Sequence, residues 1–396
     1  MEIRIEVVNA NAKIAQIAGR GNFNRHEQTC GALSADFSHS TRQTRGDGDF
    51  LNANTQPAAD ENSDRMKALR QWLTRALGSD AFHIDRASDD ASFRRYFRVE
   101  RDGAPSLIVM DAPPEKEDCR PFVHVAALFA AAGAHVPAIL AQDLARGFLL
   151  LSDLGKLTYL EALGAAGADD ADTLYRDAIQ ALIRIQLASR PDVLPGYDRQ
   201  LLDRELRLFP DWYIARQLER APEARTQETL EKCFAALIEN NLAQPRVFVH
   251  RDYHSRNLMV CDPGPGVLDF QDAVYGPITY DLVSLLRDAY IEWEEARVID
   301  WTIHYWEQAR KARLPVASDF ADFYRDFEWM GAQRQLKVLG IFARLCYRDG
   351  KDRYLKDQPL VTRYLRRTCE RYRELLPLAR LLDELDPRKK AVGYTF

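Results

Sequence analysis

The stretch RVFVHRDYHSRNLMV, residues 246–260, places one carboxylate (Asp252), two histidines (His250 and His254) and one carboxamide (Asn257) between two short apolar runs. A second carboxylate, Asp269, ends the next apolar run after the turn formed by residues 261–266. These residue types suit phosphoryl transfer. The transferred group makes little covalent contact with protein, so catalysis is positioning and charge stabilisation. One carboxylate must face the attacking hydroxyl, orient it and accept its proton, and Asp252 fills that place. Mg²⁺ prefers oxygen ligands and keeps several waters, so one or two protein ligands suffice. Asn257, five residues after Asp252, and Asp269, twelve further on, are the candidates. Taken singly, each would be an ordinary loop residue satisfying backbone groups. The order His-x-Asp, four residues, Asn, then Asp-Phe, set in strand–loop–strand context, matches the catalytic-loop and metal-loop series of kinases.

The same segments, HRDYHSRN, VLDFQD and GPITYDLVSLL, resemble the aminoglycoside/choline phosphotransferase family, which has the protein-kinase-like fold. The likeness runs over about residues 82–350. It implies that Asp252 is the catalytic base, that Asn257 and Asp269 bind metal, and that Asp281 braces the catalytic loop from a helix start. A carboxylate at that end of a helix is also favoured by the helix dipole. More narrowly, SDDASFRRYFRV (88–99), LIVMDAPPEKEDCRPF (107–122), LDRELRLFPDWY (202–213) and LKVLGIFARL (336–345) resemble the amino-sugar kinases of bacterial cell-wall recycling. That branch phosphorylates the anomeric C1 hydroxyl of N-acetylmuramate and N-acetylglucosamine, giving an α-1-phosphate for later joining to a nucleotide. The resemblance implies ATP and Mg²⁺ as cofactors.

At the nucleotide end the sequence departs from the family pattern. The loop expected over the ATP phosphates, residues 88–95, has no glycine, although Ser88, Ser92 and its backbone N–H groups can reach phosphate oxygens. The usual strand lysine should fall near Met110 and its helix glutamate near Phe122, and both are apolar. Arg94, Arg95 or Lys116 is expected to supply the missing charge, since guanidinium suits phosphate. Alternatively, the arginine pair is a solvated strand face. His254 stands where related kinases place a lysine on the γ-phosphate, or it simply steadies the loop. Ser152, Asp153 and Leu154 form the expected hinge, whose backbone the resemblance assigns to the adenine edge.

A neutral amino sugar calls for amide and hydroxyl partners and an aromatic face. The lactyl carboxylate of N-acetylmuramate adds a need for a cation. The segment from Glu205 through Arg207 to Trp212 and Tyr213, beside an apparent helix break, offers these types; Arg287, Lys337 and Arg344 add cations. For each aromatic the plainer alternative is core packing, and for each cation a solvated helix face.

Around these residues the chain reads as a two-lobed, protein-kinase-like α+β fold. Residues 1–65 are a disordered extension by composition: rich in Asn, Gly, Ser, Thr and Asp, without Trp or Tyr. From Met66, apolar residues at 66, 69, 72, 73, 76 and 77 repeat at helical spacing up to Gly78. Residues 66–151 are a small β-rich nucleotide lobe, with a hairpin signal at Arg101-Asp102-Gly103 and a helix entered at Pro121. Residues 152–396 form a larger helical lobe with the catalytic loop and acceptor site. The net charge of −5 and pI near 6.0 give no basic field for nucleic acid or an anionic membrane. Six cysteines without metal spacing and the lack of a long apolar run point to a reduced, cytoplasmic protein, expected to act as a monomer on a small-molecule amino sugar. Two readings compete. A kinase for an aminoglycoside or choline-like cation would need carboxylates clustered at the acceptor end. A non-catalytic pseudokinase would explain the missing lysine but has no use for Asp252, Asn257 and Asp269 together.

Overall fold

In the computed structural model, residues 63–88, 93–165, 168–221 and 223–385 are described. The first lobe begins with helix α1 (Asp64–Leu77), followed by strands β1 (His83–Ser88), β2 (Arg95–Arg101) and β3 (Ala104–Asp111). Helix α2 (Arg120–Ala131) and strands β4 (Ile139–Asp143) and β5 (Phe148–Ser152) complete it. The five strands form one antiparallel sheet in the order β1-β2-β3-β5-β4. The β2–β3 hairpin turns at Asp102-Gly103, where Gly103 takes φ 68°, a conformation that costs a residue without a Cβ little. Alternation along the strands sends side chains to two cores. Leu107, Val109, Phe148 and Leu150 pack with Met66, Leu69, Trp72 and Leu73 of α1. Met110, Leu149 and Leu151 face α2 and the second lobe.

Helix α1 starts two residues before the expected Met66. The Ser63 hydroxyl caps it by accepting the Met66 N–H at 3.3 Å. Arg65 reaches the buried Asp111 carboxylate at 2.5 Å and donates to the Arg146 carbonyl at 2.9 Å, so it belongs to the folded lobe. The disorder expected for residues 1–62 falls outside the described residues.

The second lobe is mostly helical. Helices α3 (Tyr159–Ala165), α4 (Ala168–Leu187) and α5 (Arg199–Leu208) lead into a π-helix at Phe209–Gln217 and then α6 (Ala224–Ala243). The helix break expected near Pro210 is absent. Pro210 sits in the first turn of the wider π-helix, where its missing N–H is tolerated. Short strands β6 (Arg246–Val249), β7 (Leu258–Met259), β8 (Gly266–Val267) and β9 (Val274–Pro277) pair as β6-β9 and β7-β8. Helices α7 (Tyr280–Leu286), α8 (Glu295–Lys311) and the 28-residue α9 (Phe320–Tyr347) follow. A 3₁₀ turn (Asp352–Asp357), α10 (Gln358–Arg371) and α11 (Leu376–Leu385) end the described chain. No described helix is long and apolar enough to cross a membrane. The five described cysteines form no disulfide.

Candidate active site

Strand β6 is buried at Val247, Phe248 and Val249 and delivers the polar loop 250–257 to the junction of the lobes. The loop is held from three sides. At the start of α7, the Asp281 carboxylate accepts the His250 N–H at 2.6 Å and the Arg251 N–H at 3.0 Å. Those bonds hold Arg251 at φ 78°, a conformation that costs a non-glycine residue about 1–3 kcal/mol. His250 is fully buried. Its Nδ1 accepts the Asp252 N–H at 3.2 Å and its Nε2 donates to the Leu268 carbonyl at 2.9 Å. That pattern fixes a neutral ring, and burial lowers its pKa in the same sense. Further along, Asp288, which sequence reasoning missed, accepts the Ser255 N–H at 3.0 Å and the Ser255 hydroxyl.

Within this frame the Asn257 amide donates to the Asp252 carbonyl at 2.9 Å and to the Asp269 carboxylate at 3.4 Å. Asp269, at φ 61°, also accepts from Gln271 at 2.7 Å. One amide oxygen and one carboxylate are an adequate protein share for Mg²⁺, which completes its octahedron with water and phosphate oxygens. The described residues contain no cluster of three or more His, Cys, Asp or Glu placed to hold a metal. Burial alone would raise the Asp252 pKa. The charges around it, Lys337 foremost with His254, Arg334 and Arg251, outweigh burial and hold it at about 2. A base so placed is ionised at neutral pH.

A cleft of about 650 Å³ opens beside the Asn257–Asp269 pair. Ser152, Asp153, Leu154 and Gly155 line one edge, Ile108 and Met259 its walls, and Arg256, Arg353 and Tyr354 its far side. The expected hinge residues therefore meet the expected metal pair. The Asp153 side chain is committed to structure, however: it accepts from Arg98 at 2.6 Å, Ser106 at 2.7 Å and the Gly155 N–H at 2.9 Å. Of the cations proposed to replace the lysine, Arg94 lies 3.3 Å from Glu117 and 3.9 Å from Asp269, beside the expected metal pair. Arg95 is instead bound to the buried Asp111 at 2.5 Å and ties β2 to β3. Lys116 stands over the Phe93 ring. Ser88 closes β1, and Ser92 lies outside the described residues.

At the expected acceptor end, long-range pairs occupy several of the side chains. Glu205 is buried behind the catalytic loop, 2.6 Å from Arg251 and 3.0 Å from Lys337, and accepts from the Tyr197 hydroxyl. Burial opposes its ionisation, yet Lys337 and Arg251 hold its carboxyl below the ordinary range. Lys337 also donates to the Tyr280 hydroxyl at 2.8 Å. Both residues thus support Asp252 from behind. Arg207 pairs with Asp203 and Glu231 on an exposed helix face. Arg287 is buried against Glu328 at 2.8 Å and Thr368 at 2.9 Å. Tyr213 stacks on Phe209 at 5.1 Å in the π-helix, and Trp212 is half-buried there. Arg344 is half-buried near the end of α9, beside Arg348 and Asp349. The His254 ring meets Tyr290 edge-on at 5.7 Å, and its Nδ1 is buried with no hydrogen-bond partner among the described residues.

A braced loop carrying an ionised carboxylate, a metal-type Asn–Asp pair and a hinge-lined cleft define a phosphotransferase with a kinase-like fold. Residues 83–316 match the Phosphotransferase enzyme family, and the chain belongs to that family. It is 54% identical over 299 residues to the N-acetylmuramate/N-acetylglucosamine kinase of Pseudomonas aeruginosa, a match covering 76% of this chain and 87% of that protein. Among solved structures it is similar to a choline/ethanolamine kinase family protein from Mesorhizobium loti, with TM-score 0.55 and 14% identity, covering 80% of this chain and 99% of that one. An ADP-bound aminoglycoside phosphotransferase gives TM-score 0.50 at 14% identity, covering 75% and 96%. These two likenesses bear on the fold, which is the expected two-lobed α+β architecture.

Proposed function

We propose that this phosphotransferase is an ATP- and Mg²⁺-dependent amino-sugar kinase that phosphorylates the anomeric C1 hydroxyl of N-acetylmuramate and N-acetylglucosamine. The observation that carries the acceptor class is the 54% identity to a kinase named for those two sugars. The geometry supports the chemistry. ATP lies in the 650 Å³ cleft with its base at the Ser152–Gly155 hinge and its phosphates toward Arg94, Asn257 and Asp269. Asn257 and Asp269 hold Mg²⁺, which supplies charge neutralisation to the phosphates when bound. Asp252 orients the acceptor hydroxyl and takes its proton, and Asp281, His250 and Asp288 keep the loop in place.

The hemiacetal C1 hydroxyl is the most acidic on a reducing sugar. It suits a carboxylate of low basicity such as Asp252 better than a C6 hydroxyl does. A cationic acceptor would instead need free carboxylates near Asp252, and Glu205 is already spent on Lys337 and Arg251. We also propose a monomer acting in the cytoplasm, where ATP and recovered wall sugars meet. The test is ADP release on mixing protein, ATP and Mg²⁺ with N-acetylmuramate, N-acetylglucosamine, choline or an aminoglycoside. Turnover with the two sugars is expected. Turnover with choline or the aminoglycoside alone would overturn the reading.

A further inference from the structure

Most cations expected at the acceptor end already hold carboxylates, as Arg207, Arg287 and Lys337 do. Arg334 differs. It is 6% exposed, yet it has no hydrogen-bond or ion-pair partner among the described residues, and its Nε is buried unsatisfied. A guanidinium withdrawn from water without a partner is costly to keep, and such a group is suited to an incoming anion.

Its position says which anion. Arg334 lies on α9 three residues before Lys337, so the two share a helix face. Lys337 bonds Glu205, which in turn bonds Arg251 next to Asp252. The charge of Arg334 acts on Asp252 and on His254, although it makes no direct ion pair with the former. Arg334 is not among the residues lining the nucleotide cleft, where the cations are Arg98, Lys156, Arg256 and Arg353. An anion that reaches it is therefore assigned to the acceptor rather than to the nucleotide. The two proposed sugars differ by one anionic group, the carboxylate of the lactyl ether.

We propose that Arg334 receives the lactyl carboxylate of N-acetylmuramate and so sets the preference between the two sugars. The proposal rests on the amino-sugar kinase reading above. A charge-assisted hydrogen bond of this kind corresponds to roughly 10- to 100-fold in affinity.

The experiment is steady-state kinetics on both sugars with the unaltered protein, Arg334→Met and Arg334→Lys. Arg334→Met should lower kcat/KM for N-acetylmuramate by roughly 10- to 100-fold, mainly through KM, and change N-acetylglucosamine by less than about threefold. Arg334→Lys should fall between. The methyl ester of N-acetylmuramate, tried on the unaltered protein, should lose a similar factor, which keeps the test open if the methionine variant does not fold. Equal losses on both sugars would overturn the proposal and move Arg334 to the shared chemistry, as would no loss on either. If the unaltered protein phosphorylates neither sugar, the underlying reading fails first and the proposal falls with it.

Discussion

Asp252 and Asp281 are both acids near the catalytic loop, and their surroundings push them in opposite directions. Asp252 is held at about 2 by Lys337 and its neighbours despite burial, whereas burial pushes Asp281 up to about 6 against its two N–H bonds. An unfolded Asp titrates near ~3.9, so Asp252 adds stability above about pH 4 that is lost as pH falls toward 2. The sign for Asp281 is opposite: its contribution is present below about pH 4 and lost as pH rises through about 6. For activity, protonating Asp281 loosens the brace on His250 and Arg251. The pH profile of kcat should therefore fall on the acid side near pH 6, with Asp252 still ionised; a flat profile down to pH 4 would contradict this. Asp252→Asn should lower kcat by roughly 10²- to 10⁴-fold. A variant keeping more than about half its turnover would remove Asp252 from the proton-accepting role. The placement of Asp252, Asn257 and Asp269 in one constellation was legible because short strands and a single loop fix their separations, and that of Asp281 through the family resemblance. Glu205, Arg287 and Arg334 were not, because their roles depend on which distant side chain pairs with them. Arg287 and Arg334 look alike in sequence, yet Glu328 and Thr368 hold the first while the second has no partner among the described residues.

At the scale of elements, α9 carries Arg334 and Lys337, and its packing sets their depth. Gly340 lets α9 approach the end of α5. A Cβ there would lie 2.3 Å from the Leu208 carbonyl carbon and 2.4 Å from its oxygen. Gly340→Ala should therefore destabilise the protein by about 1–3 kcal/mol, read as a lower thermal midpoint. A shift within experimental error would mean that the helices part without cost. The hairpin at Gly103 and the helix entered at Pro121 were readable from turn and cap chemistry. The π-helix after Leu208 was not, because Phe209-Pro210 reads locally as a stop. Only packing of the following turns against α9 carries the helix through.

For the molecule as a whole, the first lobe depends on α1, whose apolar face covers one side of the five-stranded sheet. The repeat of its apolar residues was legible, but its first turn was not, because Arg65 is fixed by Asp111 and Arg146 far along the chain. A chain beginning at Met66 loses the Ser63 cap and the Arg65–Asp111 pair, and sets a charged amine at the positive end of a helix. It should be less stable by about 1–3 kcal/mol than one beginning at Ser63. Equal denaturant midpoints for the two would show that the cap and pair contribute nothing.

The proposed reaction has Asp252 directing phosphate from ATP to C1 of an amino sugar. Phosphorus NMR of the product formed from ATP, Mg²⁺ and N-acetylglucosamine tests it most directly. The prediction is a single sugar phosphate whose phosphorus couples to the anomeric proton, with no phosphate transferred when C1 is blocked as a methyl glycoside. Phosphate found on C6, or a methyl glycoside phosphorylated as well as the free sugar, would contradict it.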